Sequence, residues 1–228
     1  MTPSLQQKLG SELLGSAMLS ATVIGSGVLA ERLSGGNDAI ALLGNTAATG
    51  AMLFVLVSAL GPVSGAHFNP AVSMVMALKR QLSPGIALLY VITQVIGCIG
   101  GAWLAHAMFE LPVLQLSQHE RSGGAQMLSE GVATFALLFA ILAVSRWRPQ
   151  AVPAAVALVI TAGYWWTAST SFANPAITIA RALSDTFAGV RMADAPGFIL
   201  AQLCGALAAW ITCATLLPKG LPPKGEPA

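Results

Sequence analysis

The sequence predicts an all-α membrane protein with six spanning helices and two re-entrant half-helices, its second half an inverted copy of the first. Three observations carry this. The 228 residues are only 9% charged and 55% hydrophobic, with a mean hydropathy of +0.73, whereas a soluble domain carries about a quarter charged residues. The apolar residues fall in long runs. The tripeptide Asn-Pro-Ala occurs twice, at matching places in the two halves.

A membrane helix needs about 20 apolar residues to cross a core of about 30 Å. The runs are Leu13–Ala30, Ala39–Leu60, Ile86–Met108, Gly131–Val144, Ala151–Trp166 and Pro196–Leu217. The fourth and fifth are short as bounded and should extend into their flanks. No soluble domain fits between them, so residues 1–228 read as one domain, with halves at about 9–110 and 126–218. The opening Met1–Lys8 stretch lacks the shape of a cleaved signal, and the first run reads as a retained helix.

With both termini in the cytoplasm, Lys8, Lys79, Arg80, Arg146, Arg148, Lys219 and Lys224 fall inside, and Arg32, Arg121, Arg181 and Arg191 outside. That split follows the positive-inside rule. Cys98, Cys204 and Cys213 sit in apolar runs without metal-ligand spacing and read as small packing residues, so neither a metal nor a cofactor is expected. No concentrated basic patch points to nucleic acid. No phosphate loop, zinc-protease motif or serine elbow supports an enzyme.

Three landmarks recur in order. Glu12 is followed at i+4 by Ser16, as Glu130 is by Thr134; then come Asn69-Pro70-Ala71 and Asn174-Pro175-Ala176; then Gln94 and Gln202, each followed three residues on by glycine. Three spans per half turn the second copy upside down, so that its elements meet the first near the bilayer midplane. Asn is a good N-cap and Pro suits the first helical position, so each tripeptide reads as a helix start. The first helix should run to about Leu78 and the second to about Asp185. About ten residues at 1.5 Å each span about half a bilayer core. Their positive ends then converge and repel cations. Spare amide N–H groups on Asn69 and Asn174 can donate to a passing oxygen.

The chain entering each half-helix must lie in the membrane without being helical, which is tolerated only where it is buried or lines a water-filled path. These lead-ins are read as residues 61–68 and 167–173, rich in Gly, Pro and hydroxyls that suit a carbonyl ladder. Glu12 and Glu130 invite two readings. Either they carry protons in a coupled transporter, or each accepts backbone N–H groups of a lead-in loop; the symmetry favours the second.

These residues, and the run Ser64-Gly65-Ala66-His67-Phe68-Asn69-Pro70-Ala71-Val72, resemble the aquaporin (major intrinsic protein) family from about Glu12 to Leu217. The resemblance implies a right-handed bundle and a homotetramer with one pore per subunit. It also implies a passive channel for small neutral solutes in a bilayer, here a bacterial inner membrane. In water-selective members an Arg follows the second Asn-Pro-Ala; here that position is Ile177. Counting from each Asn matches the other filter positions to Thr49, Ala162 and Ser171. The ring so formed is small and uncharged, which implies a wide, Arg-free filter passing water and glycerol. The aliphatic replacement is similar to a bacterial subgroup linked in part to arsenite and organoarsenicals. The alternatives are a water-selective channel and the proton-coupled transporter. Arg181, one turn beyond Ile177, is expected to pair with Asp185 or reach outward, with replacement of the missing charge the lesser reading. Tyr164-Trp165-Trp166 reads as an interfacial belt with one ring available to the pore mouth. His67 is read as loop packing rather than a pH sensor.

Overall fold

The computed structural model describes residues 2–218 and is built from helices; the Lys219 and Lys224 used for orientation lie outside the described residues. The chain folds as α1 (Leu5–Leu33), α2 (Asp38–Ser64), α3 (Pro70–Leu78), α4 (Pro84–Met108), α5 (Gly124–Trp147), α6 (Val152–Trp166), α7 (Pro175–Ala182) and α8 (Ala195–Leu216). A single 3₁₀ turn, Pro149–Ala151, precedes α6. Five of these helices are long and apolar enough to cross a membrane: α1, α2, α4, α5 and α8. The short fourth run does extend into its flanks as α5. The fifth does not, because Pro149 and Pro153 hold its start to the 3₁₀ turn and α6 stays at 15 residues.

The sequence sets most of the ends. Ser4 caps α1 and exchanges bonds with Gln7, a capping box. Asn37 caps α2 and Ser83 caps α4. α2 runs four residues further into the expected lead-in than Gly61 suggested. Pro62 lies in its last turn, and Gly65, at φ +91°, ends it with a left-handed cap whose N–H reaches the Gly61 carbonyl. The first lead-in is therefore Gly65–Phe68. α7 stops at Ala182 rather than near Asp185, as the chain turns at Leu183.

Packing follows the repeat. α1 lies against α2 and α4, and α5 against α6 and α8; α3 packs on α4, and α7 on α8. The halves interlock where α2 meets α6, α4 meets α7 and α3 meets α8. The closest approaches run through glycine. A Cβ on Gly101 would sit 2.1 Å from the Ala17 carbonyl oxygen, and one on Gly205 would sit 2.0 Å from that of Gly131. Close contact of this kind is how membrane helices gain dispersion energy where lipid removes the hydrophobic drive.

Polarity is distributed inside-out. Glu12, Gln94, His106, Glu130, Thr178 and Gln202 have no exposed surface, while Leu43, Ile96, Leu128, Leu158 and Leu200 are each more than half exposed. In water such a surface would aggregate; in lipid it is solvated.

Candidate functional site

The two Asn-Pro-Ala segments meet in the middle of the molecule. Asn69 Oδ1 accepts the Ala71 N–H at 2.9 Å, and Asn174 Oδ1 accepts those of Ala176 and Ile177 at 3.0 and 3.3 Å. Pro70 and Pro175 open α3 and α7 at the position where no N–H is needed. Each side-chain amide then crosses to the other half. Asn69 Nδ2 donates to the Ala173 carbonyl and Asn174 Nδ2 to the Phe68 carbonyl, both at 2.8 Å. One N–H of each amide is thus already engaged, which narrows the expectation that both are spare; the second remains for a solute.

The lead-ins take matching shapes. Ala66 and Phe68 in the first, and Ser171 and Ala173 in the second, all have φ near +50°. These positions stand three and one residues before each Asn. A left-handed conformation costs a non-glycine residue roughly 1–2 kcal/mol, so something must hold it. Two carboxylates do. Glu12 accepts the His67 and Phe68 N–H groups at 3.0 and 2.7 Å, with the Ser64 hydroxyl and the Gln94 amide completing four donors. Glu130 accepts the Phe172 and Ala173 N–H groups, both at 2.9 Å, and the Gln202 amide. Gln94 and Gln202 also donate to Ser73 and Thr178.

Sequence reasoning does not reach these glutamines and hydroxyls as site residues. A signal for them exists, since each hydroxyl stands four residues after its Asn and each Gln recurs at the same place in its half.

A narrow cavity of about 60 Å³ passes this meeting point, well below the roughly 300 Å³ of a drug-sized pocket. Thr49, Ser171 and Ile177 line it. Ala162 does not. It is exposed on the far side of α6, whose cavity face is Val156, Ile160 and Tyr164, spaced by four. Counting from Asn174 assumes the length of the second lead-in; the residue of this turn that lines the cavity is Tyr164. Tyr164 is buried with its hydroxyl 3.3 Å from that of Thr49, while Trp165 and Trp166 are exposed in the manner of a belt.

Arg181 also lines the cavity. It neither pairs with Asp185 nor reaches outward. Its Nε donates to the Ala188 carbonyl, its guanidinium lies 3.2 Å from the centre of the Phe172 ring, and it is 2% exposed. Asp185 accepts the Gln118 N–H instead. The cavity is therefore not free of arginine, although Ile177 occupies the expected position. His67 lines the cavity too, with Nδ1 3.0 Å from the Ser73 hydroxyl. His106 is fully buried and joins the Val113 carbonyl to the Ser184 hydroxyl.

Asp194 accepts the Arg121 N–H and an Arg191 guanidinium N–H, both at 3.0 Å. Burial pushes its carboxyl up, but these donors outweigh it and hold the pKa below the ordinary value. Because folding lowers that pKa, the ionised carboxylate stabilises the fold above about pH 4 and loses this effect as the pH falls through the folded value. Asp194→Asn should therefore lower thermal stability at pH 7 and flatten its decline in acid, as read by unfolding in detergent across pH 3–7.

Paired half-helices capped by Asn-Pro, meeting on a narrow cavity inside an inverted repeat of apolar helices, define a membrane channel. The chain belongs to the major intrinsic protein family, whose model matches residues 1–160. It is 52% identical over 218 residues to aquaglyceroporin AqpS of Rhizobium meliloti (strain 1021), covering 96% of this chain and 93% of that one. Aquaporin-5 of Rattus norvegicus is 36% identical over 127 residues, 51% of this chain and 48% of its own. The fold matches the X-ray structure of the aquaglyceroporin from Plasmodium falciparum with a TM-score of 0.69 at 19% identity, over 93% of this chain and 97% of that one. The protein is an integral, multi-pass membrane channel for small neutral solutes, not an enzyme.

Proposed function

We propose that the chain forms a passive pore of aquaglyceroporin breadth, in a homotetramer in a bacterial inner membrane with both termini cytoplasmic. Water and glycerol are its expected solutes, with arsenite or organoarsenicals as further candidates. The observation that carries the breadth is Ile177, an uncharged side chain on the cavity at the third residue after Asn174. Thr49 and Ser171 complete a ring of small polar groups, to which Tyr164 is added in place of Ala162. Asn69 and Asn174, each followed by Pro and Ala, supply the central donors. The likeness to a protein named an aquaglyceroporin supports the same reading.

Tyr164 and Arg181 favour a second reading, a water-selective pore, since a bulky ring and a cation line the same narrow cavity. The proton-coupled alternative loses its basis. Glu12 and Glu130 stand away from the cavity lining, and their oxygens are committed to lead-in and glutamine donors. Stopped-flow light scattering on proteoliposomes separates the readings by comparing water, glycerol and arsenite on one preparation. Fast glycerol entry that drops at least about tenfold in Ile177→Arg, with water retained, supports the broad pore. Fast water with negligible glycerol makes the pore water-selective.

A further inference from the structure

Arg181 presents an unusual account of charge. It is buried, yet no carboxylate among the described residues pairs with it. Its Nε has the Ala188 carbonyl and its flat face has the Phe172 ring, but its two terminal nitrogens have no protein acceptor among the described residues. Neither is among the buried atoms sealed off without a partner. A buried guanidinium without a counter-charge is costly unless its donors are satisfied some other way. Here the space beside it is the cavity that it lines.

The surroundings hold this arginine still. Arg121 lies 5.4 Å from the same Phe172 ring and donates to the Gly189, Phe187 and Ser169 carbonyls, which fixes the backbone on either side of Ala188. Gly189 packs too tightly for any side chain, with a Cβ there 2.3 Å from the Ser117 hydroxyl and 2.5 Å from the Ser184 carbonyl. Phe172 is itself packed edge-on against Phe198 at 5.1 Å. A stacked, carbonyl-anchored guanidinium retains its planar donor fork while losing its freedom to swing away.

We propose that Arg181 is the charged specificity determinant of this pore, placed one turn, about 6 Å, further along α7 than the Ile177 ring. This rests on the channel reading and adds a second, outer selective step to it. The guanidinium donates to solutes carrying an acceptor oxygen (water, a polyol hydroxyl, a neutral hydroxide). Its charge, set in a cavity with no carboxylate in its lining, bars protons and metal cations. The α3 and α7 N-termini then act as a second barrier behind it. Ile177 sets the width at its own level and Arg181 sets the sign of charge that passes, so the two tasks are divided between neighbours on one helix face.

The test uses the full-length chain in proteoliposomes, as wild type, Arg181→Ala, Arg181→Lys and Arg181→Gln. Glycerol and xylitol entry are followed by light scattering, proton leak by an entrapped pH dye and potassium leak by an entrapped potassium-sensitive dye. Arg181→Ala should raise the cation leak at least about tenfold and raise the xylitol-to-glycerol ratio. Arg181→Gln should leak as Ala does, and Arg181→Lys should stay near wild type in leak. A folded Arg181→Ala protein with leak and solute ratio within twofold of wild type would overturn the proposal. If Arg181→Ala fails to fold, the Lys and Gln variants decide, since equal leaks overturn it and a low leak for Lys alone supports it. A wild type closed to glycerol would instead end the broad-pore reading, and the leak comparison still reads the arginine.

Discussion

Glu130→Gln should abolish most conduction while leaving the outer helices in place, and Glu12→Gln should do the same from the other half. Each carboxylate accepts two consecutive backbone N–H groups of a lead-in whose neighbouring residues sit in left-handed backbone. Gln offers one oxygen where two are used, and turns an N–H of its own toward a buried N–H. The expected cost is about 2–5 kcal/mol, a lost charge-assisted bond plus an unsatisfied buried donor. The backbone at that depth has no water to turn to. The lead-in should relax, tilting its carbonyls and narrowing the path. Water permeability per assembled channel should fall at least about tenfold, with helix content by circular dichroism unchanged. Permeability near wild type in both variants would mean that the carboxylates do not set the lead-in geometry. Asp at either position should rescue little, because one methylene less withdraws both oxygens from N–H groups now 2.7–3.0 Å away.

The second large effect is steric. Gly101→Ala and Gly205→Ala should each collapse the yield of folded protein. The new Cβ meets backbone oxygen at 2.1 and 2.0 Å, and a backbone oxygen cannot rotate aside as a side chain can. Relieving the contact means separating α1 from α4, or α5 from α8, by roughly 1 Å or more along much of their length, and overpacking of this kind costs upward of about 1–3 kcal/mol. Gly100 is the internal control. It neighbours Gly101 on the same helix, but a Cβ there would have no atom within 4 Å, so Gly100→Ala should be neutral or slightly stabilising through helix propensity. Size-exclusion profiles and melting curves of the three variants in one detergent give the comparison. Equal behaviour of Gly100→Ala and Gly101→Ala would refute the close-approach account.

Much of the fold is legible because lipid imposes simple rules. Apolar length marks spans, and Asn-Pro marks a helix start wherever the N–H accounting permits it. The repeat then supplies the inversion. What the sequence hides is lateral position, the rotation of each helix about its own axis. Ala162 is matched by counting through a loop, and loop length is what related chains vary most freely. Tyr164 is within reach of the four-residue spacing of Val156, Ile160 and Tyr164. Arg181 is not. Its placement depends on Ala188 and Phe172, which lie in two different loops, and nothing local to α7 announces that a cation will turn inward there. The i+4 spacing to Asp185 suggests a pair, but α7 ends at Ala182, before that spacing has a helix to act through.

The exchange between Asn69 and Ala173, and between Asn174 and Phe68, bears on how the chain is born. When only the first half has left the ribosome, the Phe68 carbonyl lacks its donor and the Asn69 amide its acceptor. Both lie at a depth where bare polar groups are expensive. The first half therefore waits, with its loop incomplete, until the second half inserts and each becomes the other's template. A chain severed in the connection between α4 and α5 should regain its pore only when both pieces share one membrane.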